Sequence, residues 1–375
     1  MAISAASMNR RSPWQLIRPY VMVFDGTMMT ALGLIVLISL VAQYSAAAGF
    51  PGRFDGHVRN LLVAFVVMWV AANVSPMLLM RVAVPLFVVG VALLVAVALF
   101  GEVSKGARRW LNLGFTRIQP SEVLKIAMPL MLAWYFQRRE GVIRWFDFLV
   151  AAVLLAVPVG LIAKQPDLGT SILVLAAGAY VIFFAGLSWK LVFGLLAAGL
   201  AALPLLWSVM KDYQKQRVMT LLDPTSDPLG KGFHIIQSTI AVGSGGVTGK
   251  GWLEGTQTHL EFIPERTTDF ILAVYSEEFG LLGVGVLMLL YLAVISRGLV
   301  IAAGGGSMFS RLLAGSITLS FFTYCFVNMG MVIGVLPVVG VPLPWMSYGG
   351  TAMVTLGLGA GMLMSIHRHR TLVQT

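Results

Sequence analysis

Between residues 22 and 367 the chain is a succession of apolar runs, each about as long as the ~20 residues a helix needs to cross a bilayer core, separated by short polar connections. Ten such runs fall near 22–46, 58–77, 80–100, 121–137, 146–164, 168–187, 190–210, 268–296, 308–334 and 347–367. Inside a bilayer every backbone N–H and C=O must be paired internally, which restricts a spanning chain to helices or closed barrels. The expected fold is an all-α integral membrane protein of about ten transmembrane helices. Composition agrees: 58% of residues are hydrophobic, 11% are charged and the mean hydropathy is +0.86, outside the range of water-soluble domains.

An even number of spans puts both termini on one side. With the N-terminus inside, twelve Lys and Arg lie in the inside segments, against seven in the short outside loops, the asymmetry expected of a cytoplasmic N-terminus. The first run follows Arg10, Arg11 and Arg18 and ends near SAAAG, in the manner of a cleavable signal; the many later spans favour an uncleaved first helix. One integral domain results: a cytoplasmic segment 1–21, spans one to seven over 22–210, an extracytoplasmic loop 211–267, spans eight to ten over 268–367, and a cytoplasmic tail 368–375. Net charge is +10, but its cations are scattered between apolar runs, so they read as topology signals and contacts for membrane lipid, and no nucleic acid is expected.

The only long loop, 211–267, is punctuated by DPTSDPLG, GSGG and GKG, and is expected to be only partly regular. Nine of the sixteen acidic residues lie between 211 and 278, so chemistry is expected there. GSGGVTGKG at 243–251 looks like a phosphate loop but fails it: Ser244 and Gly251 stand where a glycine and a Ser or Thr are required. Nucleotide-driven transport has no support, and the glycines read as a hinge or re-entrant turn. QPSEVLKI at 119–126 has the form of a helix start with Ser121 or Glu122 near the cap. Lys125 then lies one turn inside a span, where it needs a partner, and Glu122 at i−3 is in reach. Arg108, Arg109 and Trp110 read as an interfacial anchor whose guanidinium groups also fit a diphosphate. Asp167 in KQPDLGT caps the sixth span, and Lys164 snorkels. VLPVVGVPLPWMSYGG at 335–350 is a rigid loop able to shape a mouth.

EFIPERTTDF at 261–270 places Glu261, Glu265 and Asp269 at the door of the eighth span. Asp269 is either a first-turn carboxylate favoured by the helix dipole or a functional acid at the edge of the bilayer. Glu277 and Glu278 fall on other faces of the helix. Five dispersed histidines and one cysteine, Cys325, give no metal-ligand spacing and no triad.

These motifs resemble a known family over about residues 20–367. GARRWLNLG with IQPSEVLKI, QPDLGT, DPLGKGFHIIQSTIAVGSGG, FIPERTTDF with EEFGLLG, and PLPWMSYGG are similar to those of the shape, elongation, division and sporulation (SEDS) family of polytopic peptidoglycan polymerases. GTQTHLEFIPE at 255–265 is nearer the elongation members than the division members. The resemblance implies glycosyl transfer at the outer face of the cytoplasmic (inner) membrane, with lipid II added to a growing glycan strand and undecaprenyl diphosphate released. It assigns the essential carboxylate to Asp269. Arg108, Arg109, Lys250 and Arg266 are expected to stabilise the departing diphosphate, and Trp110 with the Glu122–Lys125 pair to line the cavity. Thr267 departs from the family, which usually has histidine there, so a histidine base at that position is not expected. No cofactor is assigned, and the metal requirement stays open: a divalent cation such as magnesium could share the diphosphate charge. The implied partners are a class B penicillin-binding protein, packed by its single helix on the late spans, and other elongation-complex membrane proteins. Two alternatives stand beside this one: a lipid II flippase without bond chemistry, and a lipid-linked polysaccharide ligase.

Overall fold

A computed structural model describes residues 23–104, 107–112, 117–210, 212–226, 230–260, 262–263 and 265–369. The expected segment 1–21 and most of the tail lie outside the described residues. Helices α1 (Gly26–Ala46), α2 (Arg53–Asn73) and α3 (Pro76–Phe100) are followed by an antiparallel ribbon of β1 (Glu102–Ser104), β2 (Ala107–Asn112) and β3 (Arg117–Ile118). Then come α4 (Pro120–Gln137), α5 (Trp145–Lys164), α6 (Leu168–Phe184), α7 (Trp189–Ala201) and α8 (Leu203–Val209). The long loop folds into α9 (Asp212–Leu222), a 3₁₀ turn at Pro224–Ser226, α10 (Lys231–Ser244) and the single turn α11 (Thr256–His259), before α12 (Ile271–Ala303), α13 (Met308–Val332) and α14 (Gly350–Arg368). The body is all-α, as expected, and the loop 101–120 adds the small ribbon.

Each apolar run becomes a helix, the seventh split between α7 and α8. Among the described residues, however, seven helices are long and apolar enough to cross a membrane, or eight if α7 and α8, bent by 44°, form one span. The exceptions are instructive. α6 has 17 residues, and α4 carries Glu122, Lys125 and the internal Pro129. α4 meets α3, α5, α6, α13 and α14, and its residues from Leu124 to Ala133 are all buried. A helix sheltered by protein on every side need not match lipid, so it can hold an ion pair that a lipid-facing helix could not.

Local chemistry sets the ends. Asp25 caps α1, its carboxylate accepting from the N–H of Met28 at 2.9 Å. Asp167 caps α6 as expected, accepting from Thr170 N at 3.2 Å. α4 differs from expectation: its cap is Gln119, Pro120 is its first residue, and Ser121 lies one position inside. Its hydroxyl accepts from Gln119 Nε2 at 3.1 Å, and the same amide donates to Asp167 Oδ2 at 2.9 Å, tying the starts of α4 and α6 together. α14 packs against α2 through Gly357 and Gly361, where a Cβ would come within 2.5 Å of Ala64 O and 2.3 Å of Met68 O. Without a hydrophobic force between helices in lipid, such close backbone approach is what drives association, and it explains the GLGAG run.

Candidate functional site

The helix that follows EFIPERTTDF begins at Ile271 with Phe270 as its cap, so Asp269 lies outside the first turn. This removes the first-turn reading of Asp269. Its backbone is clamped: Asn328, fully buried on α13, donates through Nδ2 to Asp269 O at 2.9 Å and to Val341 O at 2.7 Å. One amide thus holds the residue-269 backbone and the 335–350 loop in register. The residue is half-buried, and its carboxylate lies beside that loop, at Gly340: with φ +76°, a Cβ at that position would sit 3.4 Å from Asp269 Oδ2. Thr267 is held just as firmly. Its carbonyl accepts from Gln43 Nε2 at 2.7 Å and Tyr348 N at 2.8 Å, and the Gln43 amide also reaches Met346 O at 2.8 Å. Arg53 donates to Thr267 Oγ1 at 3.2 Å and stacks 4.2 Å from the Tyr348 ring centre. The mouth-forming loop therefore does meet the acidic segment, at residues 267–269.

Two expected diphosphate ligands are spent elsewhere. Arg266, 2% exposed, donates to Ala46 O at 2.9 Å, to Thr258 O at 2.7 Å and to Ala48 O, with its guanidinium 4.7 Å from the Phe50 ring centre. Burial of a guanidinium requires such acceptors, and two of the three here, Ala46 O and Ala48 O, lie at the C-terminal end of α1, where helix carbonyls are left open. Lys250 binds the buried Glu277 at 2.7 Å and Thr256 Oγ1 at 2.8 Å. Neither cation belongs to an open mouth, because each satisfies groups that folding buries. Arg109 bonds Gln165 O at 3.3 Å and Pro166 O at 2.5 Å, pinning the ribbon to the turn between α5 and α6, with Trp110 half-buried beside it. The side chain of Arg108, together with Lys105, Glu261 and Pro264, lies outside the described residues; the Arg108 backbone pairs with Val103. Glu265 is exposed and accepts from Thr268 Oγ1 at 2.8 Å.

The Glu122–Lys125 pair forms as expected, at 2.6 Å, with Lys125 Nζ 5.4 Å from the Tyr324 ring centre. It divides two spaces. Glu122 lines a groove of about 540 Å³ between α2, α3, α4 and α14, and Lys125 lines a cavity of about 60 Å³ shared by α1, α4, α6, α12, α13 and α14. Ile126 and Thr355 wall both.

The glycine-rich segment explains itself through a break in α12. At Gly280 the backbone turns to φ +63°, ψ −164°, a region open essentially to glycine alone. The interrupted helix leaves backbone groups unpaired, and the turn-rich strap 246–251 takes them over: Lys250 N and Gly251 N donate to the carbonyls of Glu277 and Glu278 at 3.0 and 3.1 Å, while Leu281 N and Leu282 N donate to Gly246 O and Val247 O at 2.9 and 3.0 Å. Gly249 allows the approach, since a Cβ there would fall 2.1 Å from Glu278 O. The hinge expected of these glycines is a brace.

The fold is that of a multi-pass helical membrane protein in which the backbone of Asp269 is tied to the 335–350 loop. The chain belongs to the FtsW, RodA and SpoVE family of cell cycle proteins, whose model matches residues 20–372. It is similar to the peptidoglycan glycosyltransferase MrdB of Escherichia coli (strain K12), with 48% identity over 366 residues that cover 97% of this chain and 98% of the relative. Among solved structures it resembles a chain of a peptidoglycan synthase complex described as coordinating polymerization and crosslinking, with a TM-score of 0.80 and 32% identity over 94% of this chain and 99% of that one. It also resembles the rod shape determining protein RodA of Thermus thermophilus, with a TM-score of 0.71 and 28% identity over 93% and 98%.

Proposed function

We propose that this protein is a peptidoglycan glycosyltransferase that polymerises lipid II into glycan strands during cell elongation, at the outer face of the cytoplasmic membrane, with both termini cytoplasmic. The observation that carries the mechanism is the placement of Asp269: its backbone is fixed by Asn328, the residue is half-buried, and its carboxylate lies beside Gly340. A sugar hydroxyl is a weak nucleophile until a positioned base takes its proton, a contribution of about 10²–10⁴-fold. In the proposed step the acceptor hydroxyl oxygen attacks the anomeric carbon of the donor. Its proton passes to the Asp269 carboxylate, and the bond from that carbon to the diphosphate oxygen breaks with its electron pair on the leaving group. Charge growing on undecaprenyl diphosphate is met by Arg108 of the ribbon and by Arg53 beside Thr267, while Arg109, held by the carbonyls of Gln165 and Pro166, positions the ribbon. The groove beside Glu122 is suited to the polyprenyl chain, with Asn60, Gln119 and Glu122 supplying its polar lining; Trp110 and Lys125 remain proposed substrate contacts. Magnesium usually binds through one or two carboxylates plus substrate phosphates, and Asp269 with the donor diphosphate would supply those ligands if such an ion is bound.

A class B penicillin-binding protein and other elongation-complex membrane proteins are the proposed partners. The late span α12 offers an exposed apolar strip for a single helix, including Leu281, Leu282, Val286 and Leu289. The flippase reading has one feature in its favour, a discontinuous helix of the kind transporters use, but the strap braces that break instead of leaving it to move. Purified protein given lipid II in detergent, where sidedness is abolished, is expected to form glycan strands. Absence of strands even with the partner present would move the assignment to transport.

A further inference from the structure

We propose that the Lys250–Glu277 ion pair is a positioning device for the catalytic carboxylate and not a contact for substrate. The inference rests on the reading of Asp269 as the base. Beyond the Gly280 break, the part of α12 that follows Asp269 is only the nine residues from Ile271 to Phe279. A helix of that length does not hold itself together in isolation, so the direction in which it presents Asp269 is set by what grips it.

The grip is built on Glu277. Its side chain is fully buried, and both oxygens are in use: Oε1 accepts from Lys250 Nζ at 2.7 Å, Thr256 Oγ1 at 3.0 Å and Gln257 N at 3.0 Å, and Oε2 from Thr258 Oγ1 at 3.3 Å and Thr258 N at 3.4 Å. This fastens α11 onto the short helix. The carbonyl of Thr258 then accepts from Arg266 Nη1 at 2.7 Å, and Arg266 is three residues before Asp269. A closed loop of contacts results, running from Lys250 through Glu277, Thr258 and Arg266 back to the acidic segment, with Gln43 and Tyr348 holding Thr267 between them. Lys250 is thereby committed: two of its three donors are spent on Glu277 and Thr256, and its own N–H is bonded to Glu277 O at 3.0 Å. A displacement of about 1 Å at the reacting group can cost 10²-fold, which is why a distant ion pair can govern turnover.

The test is steady-state polymerisation by the purified full-length protein across a lipid II concentration series, with thermal unfolding of each variant. Lys250→Met and Glu277→Gln should each lower kcat about 10-fold or more with KM within about twofold, and the double variant should be no worse than either single one. Lys250→Arg should restore most of the rate. Should the single variants fold poorly, Thr256→Val removes the hydroxyl bridging both partners while leaving the ion pair, and should lower kcat alone by a smaller factor. The proposal is overturned if Lys250→Met raises KM at unchanged kcat, if Glu277→Gln leaves kcat unchanged, or if activity only follows thermal stability with no rescue by Lys250→Arg. Asp269→Asn run beside them separates the two claims: an inactive Asp269→Asn with a fully active Lys250→Met rejects positioning alone, and a fully active Asp269→Asn rejects the base.

Discussion

The brace across the Gly280 break carries a quantitative consequence. In Gly280→Ala the new Cβ would lie 2.3 Å from Gly249 N and 2.6 Å from Val247 O, both backbone atoms of the strap. The left-handed, extended conformation at this position costs a non-glycine residue about 1–3 kcal/mol. Relieving the contact must also push the strap away, weakening the bonds from Leu281 N and Leu282 N at about 0.5–1.5 kcal/mol each. The sum is roughly 2–6 kcal/mol, which at about 2–4 °C per kcal/mol lowers the melting temperature in detergent by on the order of 10 °C. Gly285→Ala is the matched control: it lies in the same helix, with nothing within 4 Å of its Cβ position, and should leave stability unchanged or slightly raised through helix propensity. Thermal unfolding followed by tryptophan fluorescence reads both. Equal melting temperatures for the two variants would refute the brace.

Three further outcomes follow from the same geometry. Gly340→Ala should cut polymerisation several-fold beyond its modest stability loss of about 1–2 kcal/mol, because the methyl group stands in the space beside the Asp269 carboxylate; turnover at parental level would place the acceptor elsewhere. Lys125→Met leaves Glu122 without its cation in a mostly buried setting, a loss of about 3–5 kcal/mol, and adding Glu122→Gln should recover part of that stability; a double variant less stable than Lys125→Met contradicts the pairing. At the other end of the bundle, Arg297 donates to both carboxylate oxygens of Asp25, at 3.0 and 2.6 Å, and these bonds hold the Asp25 carboxyl below its ordinary 3.8. The folded state binds that proton less readily than the unfolded chain, so the stabilisation is present above about pH 4 and is lost as the pH falls through the lowered value. Melting temperatures measured from pH 6 to pH 3 should fall more for the parent than for Asp25→Asn, and parallel curves would refute the linkage.

How far the sequence could be read depended on the range of the interactions involved. The helices were legible because apolar length is a local property, and the Glu122–Lys125 pair because i and i+3 meet on any helix. Asp167 as a cap was legible for the same reason. What failed was long-range: Arg266 and Lys250 are cations in an outer loop by sequence, and only the fold shows that α1 carbonyls and Glu277 consume them. Arg53 was passed over because its partners, Thr267 and Tyr348, are more than two hundred residues away. Gly280 gave no local signal, since a glycine inside an apolar run looks like packing; the cue was the second glycine cluster at 243–251, which has no helical use until something needs a close backbone partner. The start of α4 at Gln119-Pro120 was legible from the proline, while the cap itself falls on Gln119, next to the serine that more often takes that role.

The account turns on one proton acceptor. Asp269→Asn keeps the size of the side chain and its clamped backbone, and removes its capacity to take a proton. In detergent with purified lipid II, the variant should lose polymerisation by about 10²-fold or more at an unchanged melting temperature. Glycan strands made at the parental rate would show that the carboxylate has no part in the chemistry.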